Sequence, residues 1–320
     1  MRLIVRSAAV VAAAALTALA LTGCSASDDT CVNPLGTGSA ALVDVAGSFG
    51  HSPTVDFPTP FVGRDSSTAT VLEGDGATVI SGDYVDFEAT VFHGADGKVL
   101  TSTAYGQNGS APQRIPVIAG SNVLSDSFLC HRAGERFALA GTAADLFGAV
   151  TGNGVKATDT LVIVFDVVGV YPHHASGAPQ VAQDGMPAVT IAPDGRPGIA
   201  VPKTAAPTDL RIETLTKGDG AVITEGQTVT AHYLGVIWGG GVFDSTWESD
   251  HPADLVAQSF VDHGGVGVVP GFAKALVGQT VGSRVVVSIP PSEGYPAGQA
   301  PTSIPANSTM IFVIDILGAK

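Results

Sequence analysis

No Gly-x-Ser-x-Gly elbow stands anywhere in the 320 residues, and no cysteine beyond Cys24, Cys31 and Cys130 is present to act as a nucleophile. The usual bases for covalent acyl transfer are therefore missing. The eight histidines form no His-Glu-x-x-His pair or similar spacing, so no metal centre of that kind is expected. Residues 264–271, GGVGVVPG, lack the third glycine of a dinucleotide loop and follow no βα unit. No cofactor is expected either. Positive charge is sparse: 15 Lys and Arg stand against 29 Asp and Glu, a net charge of −14. Such a surface repels phosphate backbones and argues against nucleic acid as a partner. Charged residues are only 14% of the chain and aromatics 6%, whereas glycine (40) and proline (20) are plentiful. Patterned segments rich in Val, Thr and Ile, broken by turn residues, predict a mostly β protein. The length suggests about two domains.

One apolar run does exist, at the N-terminus. Arg2 and Arg6 precede residues 8–21, an uncharged stretch of 14 residues that is short for a bilayer span and typical of a signal-peptide core. It ends in Leu21-Thr22-Gly23-Cys24, which resembles a bacterial lipobox, where the cysteine is acylated and becomes the first residue of the mature chain. The expectation is a signal peptide over residues 1–23 and a lipid anchor on Cys24. A polar tether over residues 24–42 would follow, with the protein on the outer face of the cytoplasmic membrane. The alternative is an ordinary cleaved signal with a chance cysteine. Loss of residues 1–23 removes two basic residues and no acidic ones, taking the charge from −14 to −16. Cys31 and Cys130 then remain as an even pair in an exported chain. That favours a disulfide between them over two unrelated thiols.

The chain repeats itself. Gly74-Asp75-Gly76-Ala77 recurs 144 residues later as Gly218-Asp219-Gly220-Ala221. Residues 133–139 (AGERFAL) mirror 281–287 (VGSRVVV), and 160–170 (TLVIVFDVVGV) mirror 309–318 (TMIFVIDILG). Two copies of one domain of about 110 residues follow, each with a Pro-bounded leader strand. The first is expected over residues 43–171, the second over 188–320 with its core at 208–320. Residues 172–187 are polar and punctuated by Gly and Pro, so they read as a linker, and His173 and His174 as solvated residues rather than metal ligands. A hairpin turn is predicted at Pro193-Asp194-Gly195.

In the second copy, residues 228–237, 284–290 and 310–317 read as strands. Residues 270–278 read as a short helix, with Pro270 in its first turn and Gly278 at its end. Phe272 and Leu276 share its inner face. Residues 210–320 resemble the FKBP-type peptidyl-prolyl cis-trans isomerase domain over essentially their whole length. The resemblance rests on KGDGA (217–221), the pattern G-Q-x-V-x-x-H-Y-x-G (226–235), VFDST (242–246) and VVPGFAKALVGQTVGSR (268–284). IPPSEGYPAG (289–298) and IPANSTMIFVIDIL (304–317) complete it. It implies an α+β, mostly β fold: two FKBP-like domains, each a twisted antiparallel sheet wrapped around a short helix. The implied proline cup in the second copy is Tyr233, Phe243, Asp244, Val268, Val269, Phe272, Tyr295, Ile304 and Phe312. On this resemblance Tyr233 and the Phe243-Asp244 pair form opposite walls, brought together by the glycine turn 239–241. Ser249, Ala253, Gly267 and Ala300 depart from the family's pattern and thin the rim.

The implied activity suits a site without nucleophile or base. An X–Pro bond isomerises over a barrier of ~18–20 kcal/mol because the twisting amide loses resonance, and no bond is broken. A dry pocket and a fixed donor for the displaced carbonyl are what help. The implied partners are proline-containing exported clients, the membrane through the lipid anchor, and macrolides. In the first copy Glu88 and Ala89 stand at the His232 and Tyr233 positions, Leu100-Thr101 at Phe243-Asp244, Phe147 at Tyr295 and Ile163 at Phe312. Its helix segment is shorter by about four residues, which trims the helix. A degenerate, non-catalytic first domain is expected, with the isomerase on an actinobacterial-type lipoprotein. The competing expectation is a non-catalytic extracytoplasmic chaperone or binding module that uses the same folds.

Overall fold

The computed structural model describes residues 31–63, 65–148 and 154–320. The expected signal peptide and Cys24 lie outside the described residues. Among the described residues no helix is long and apolar enough to cross a membrane.

A hairpin of β1 (Asp44–Ala46) and β2 (Thr54–Asp56) precedes the first sheet. That sheet holds β3 (Ser67–Leu72), β4 (Tyr84–His93), β5 (Val99–Ser102), β6 (Gln113–Pro116), β7 (Arg136–Thr142) and β8 (Thr160–Tyr171). Its order is β3-β7-β8-β4-β5, with β6 also on β4. Helices α1 (Val123–Phe128) and α2 (Ala143–Phe147) accompany it. A short strand β9 (Ala178–Pro179) and a hairpin of β10 (Ala188–Ile191) and β11 (Pro197–Ala200) lead to the second sheet. This sheet contains β12 (Arg211–Lys217), β13 (Thr228–Ile237), β14 (Val242–Ser245), β15 (Ala253–Val256), β16 (Arg284–Ile289) and β17 (Met310–Ala319), with helix α3 (Pro270–Leu276). Its order, β14-β13-β17-β16-β12-β9 with β15 on β13, repeats that of the first sheet and adds β9 at one edge. Every pairing between these strands is antiparallel.

The repeat extends to single residues. Glu88 pairs with Asp166 where His232 pairs with Asp315, and Val91 faces Thr101 where Gly235 faces Asp244. Each sheet buries one Arg–Asp ion pair between its central strands, Arg136–Asp166 and Arg284–Asp315. Each pair also grips its leader hairpin. Arg136 donates to the carbonyls of Gly47, Ser48 and His51, and Asp166 accepts from the Gly50 amide. Arg284 donates to the Gly195 carbonyl at the β10–β11 turn.

β17 and β16 are buried along nearly their whole length. A strand apolar on both faces needs cover on both, and three layers supply it. Phe272, Ala275 and Leu276 of α3 pack on one face with Val285, Val287 and Ile314. On the other face Val286, Ile311 and Val313 meet Val189, Ile199 and Val201 of the leader segment. The first sheet is covered in the same way, Val162 and Val164 packing with Val45 and Val55 of its hairpin.

Three boundaries differ from the sequence reading. The tether expected over 24–42 is packed from Asn33 onward: the Asn33 amide donates to the carbonyls of Ser127 and Leu129, and Ala40 is fully buried. The expected linker over 172–187 is stitched to the second sheet by β9 on β12 and by the Ala175 amide on Asp315 at 2.9 Å. Polar composition misled there because the segment satisfies backbone groups at a sheet edge rather than apolar surface. Third, α1 is six residues against seven for α3, so the shorter segment leaves the helix almost intact. Asn122 caps α1 by accepting from the Ser125 amide at 2.8 Å.

Candidate functional site

The second sheet, α3 and the loop carrying Tyr295 enclose a cavity of about 310 Å³. Tyr233 comes from β13, Phe243 and Asp244 from β14, and Phe312 from β17. Val268 and Val269 lead into α3, whose Phe272 reaches the same space. The rings stand edge to face: Phe243 on Phe312 at 5.4 Å, Phe272 on Phe312 at 4.9 Å and Tyr233 on Phe272 at 6.0 Å between centroids. Gly235 makes this cluster possible. A Cβ there would fall 2.7 Å from Phe243 Cζ and 2.9 Å from Phe312 Cε1.

The Tyr233 hydroxyl donates to Asp244 Oδ2 at 2.6 Å. The expectation of opposite walls is therefore corrected. β13 and β14 are adjacent strands, with Gly235 facing Asp244, so the two side chains form one polar wall. The turn between them does use its glycines: Gly239 has a φ of +74°, and the Ile237 amide bonds to the Gly241 carbonyl at 3.0 Å. Burial, then the Asp244 hydrogen bond, raises the Tyr233 pKa, and burial with the Asp244 charge raises that of Tyr295. Both phenols are protonated donors at neutral pH. Among the described residues the Tyr295 hydroxyl has no hydrogen-bond partner, so its donor is available to a ligand carbonyl.

Eight of the nine expected residues meet at this cavity. Ile304 does not. It is buried in the core and lines a neighbouring cavity of about 500 Å³ that shares Tyr295 as a wall. Three lining residues were not foreseen, Leu255, Phe260 and Gln299, while Gly267 lines the cavity as a rim residue, as expected. Phe260 stands 6.0 Å from the Tyr295 ring and supplies an aromatic wall that Ala253 does not. A lone Phe in the polar, glycine-rich stretch 258–267 was the available signal. Gly267 has a φ of +126°, and a Cβ there would collide with the Gln258 carbonyl, so no larger residue fits this backbone.

Behind the polar wall lies a second group of side chains. His173, His232 and Asp250 bring ligand-type atoms within 4.8 Å of one another. His173 is not the solvated residue expected from its segment: it stacks on Tyr84 at 5.6 Å and meets Trp247 edge-on. A hydrogen-bond chain formed by protein groups satisfies these atoms, with Tyr84 donating to Asp250 at 2.7 Å and standing 3.0 Å from His232 Nε2. Burial, with the His173 charge next, holds the His232 pKa down at about 4, from an ordinary value of 6.5. Between those pH values the folded state binds fewer protons than the unfolded one, so stability falls as pH drops through that window. Urea midpoints measured from pH 7.5 to 4.5 are expected to decline less steeply in His232→Gln, by up to about one proton's slope. Equal slopes would show that His232 is not held neutral.

The family model of FKBP-type peptidyl-prolyl cis-trans isomerase matches residues 220–317. A probable FK506-binding protein of Corynebacterium glutamicum is 32% identical over 127 residues, which cover 39% of this chain and 98% of that protein. The chain belongs to the FKBP-type peptidyl-prolyl cis-trans isomerase family. The FKBP-type 22 kDa peptidyl-prolyl cis-trans isomerase of Escherichia coli is 32% identical over 108 residues, 34% of this chain and 48% of that one. The solved structure of the three FKBP domains of wheat FKBP73 covers 80% of this chain at 18% identity, with a TM-score of 0.33. The match at residues 220–317 takes in every FKBP cup residue expected from the sequence.

Proposed function

We propose that the second sheet and α3 form a peptidyl-prolyl cis-trans isomerase site acting on X–Pro bonds of exported client proteins. The convergence of Tyr233, Asp244, Tyr295 and four phenylalanines on one cavity supports this reading. Phe243, Phe272 and Phe312 hold the pyrrolidine ring. The dry aromatic floor disfavours the polar planar amide relative to the twisted one, and the Tyr295 hydroxyl donates to a substrate carbonyl. Asp244 fixes Tyr233 and with it the polar rim. Each 1.36 kcal/mol of preferential stabilisation is worth about tenfold in rate. Macrolides are a further ligand class for the same cup.

The first sheet is a non-catalytic copy in this reading. Ala89 and Thr101 take the registers of Tyr233 and Asp244, and Phe147 lies half exposed on α2. The whole chain is anchored outside the cytoplasm through Cys24. Cys31 and Cys130 are each disulfide-bonded, and their pairing with one another is part of the proposal.

The test is a protease-coupled proline-peptide assay on the full chain recovered from the membrane fraction. Catalysis well above background is expected, with loss of most of it in Asp244→Ala combined with Tyr295→Phe. A background rate, or a rate untouched by the double substitution, sinks the isomerase reading. Cys24→Ala should move the protein to the soluble fraction; retention on membranes sinks the anchor.

A further inference from the structure

The rim of the cup is held from outside its own sheet. Between β14 and β15 the chain passes through Asp250, whose φ of +48° is a left-handed conformation that non-glycine residues rarely take. Such backbone persists where neighbours over-determine it. Tyr84, at the start of β4 in the first sheet, donates its hydroxyl to Asp250 Oδ1 at 2.7 Å, and His173 Nε2 lies 3.0 Å from the same oxygen. Two residues on, Arg114 of β6 donates Nη1 to the Pro252 carbonyl at 3.2 Å and Nη2 to Asp254 Oδ1 at 3.0 Å. Its guanidinium is itself fixed, paired with Asp86 of β4 and lying 5.0 Å over the Tyr171 ring. Lys320 Nζ bridges Asp86 and Asp254 at 3.1 Å each.

Both grips reach the cup in at most three steps. Asp254 immediately precedes Leu255, which lines the cavity. Tyr84 has a single proton, given to Asp250, so its oxygen accepts from His232 Nε2–H at 3.0 Å. His232 Nδ1 in turn stands 2.8 Å from Thr246 Oγ1. Thr246 Oγ1 accepts from the Tyr233 amide at 2.9 Å, and Thr246 lies two residues past Asp244. The chain from Tyr84 therefore ends on the backbone of Tyr233, one residue of the polar wall, at a position two residues from the other, Asp244.

We propose that Tyr84 and Arg114, both on the first sheet, are positioning residues for the isomerase cup of the second. They preset residues 246–255, so that the Tyr233–Asp244 pair and Leu255 stand ready before substrate arrives. The first sheet is then a brace for the site rather than a spacer. This rests on the isomerase reading of the cup, and its test separates the two.

The test uses the full chain with Tyr84→Phe, which removes one hydroxyl and keeps the ring on His173, and Arg114→Met, which keeps a stem over Tyr171. Each is expected to lower kcat/KM for a proline peptide by about five- to tenfold, mostly in kcat, as misplaced groups do. Arg114→Lys should recover part of the loss, and Lys98→Met, on an exposed part of the first sheet, should leave the rate unchanged. Tyr84→Phe added to Asp244→Asn should cost less than the product of the single effects, since both act through one wall. Hydrogen exchange over residues 246–256 should quicken in Tyr84→Phe and Arg114→Met. Rates within twofold of the parent, or single effects that multiply cleanly, overturn the proposal. If the unsubstituted chain shows no isomerase activity, the reading of the cup falls while the exchange still decides the brace. Quickened exchange confined to residues 246–256 supports it, and unchanged exchange overturns it.

Discussion

Gly235→Val is expected to remove about 99% of proline-isomerase activity, roughly a 100-fold loss of the kind that ångström-scale misplacement produces, while the chain stays folded. Position 235 faces Asp244 across β13 and β14. Its missing side chain is the space into which the Phe243 and Phe312 rings lean. The first sheet has already made this change: Val91 occupies the same register, with Leu100 and Ile163 where the second copy has Phe243 and Phe312. A β-branched residue is at home in a strand, so the substitution should displace rings rather than break the sheet. The check pairs the peptide assay with far-ultraviolet circular dichroism. Retained activity would mean that the ring cluster does not hold the proline.

Arg136→Met is expected to cost about 3–5 kcal/mol of stability, as breaking one half of a buried ion pair usually does. The Arg136 and Asp166 side chains are 1% and 0% exposed. Without the guanidinium, the carboxylate keeps only the Gly50 amide, and the carbonyls of Gly47, Ser48 and His51 lose their donor. Replacing both partners, Arg136→Met with Asp166→Leu, should recover a good part of that loss, because no uncompensated charge then remains buried. Urea unfolding of the three proteins checks both statements. A double variant no more stable than the single would show that the hairpin contacts, not the charge, carry the effect.

The second copy was legible because its signals are local. The dense β-branched runs became β16 and β17, and Pro270 and Gly278 bracket α3 as their chemistry requires. The alignment of the copies was legible too, since the Arg and Asp of GERF/GSRV and VFDV/VIDI land on equivalent registers. What escaped was set by distance along the chain or by irregular backbone. Tyr84 and Asp250 lie 166 residues apart, and nothing in a polar turn announces such a partner. Phe260 entered the cup from a stretch without periodicity. Ile304 left it because an apolar residue next to a site has the same composition as one inside it. His173 looked solvated because its neighbours in sequence are polar, whereas its neighbours in space are rings.

The leader hairpins bear on where this protein can be cut. β10 and β11 look like an appendage in sequence, yet they cover Val286, Ile311 and Val313 and hold the outer donor of Arg284. A fragment beginning at residue 208 would present that aliphatic sheet face to water and leave Arg284 one acceptor short. The smallest piece suited to expression, crystallisation or transfer into another chain therefore starts before Ala175, whose amide caps Asp315. The modular boundary of the second repeat lies in the segment that composition alone assigns to a spacer.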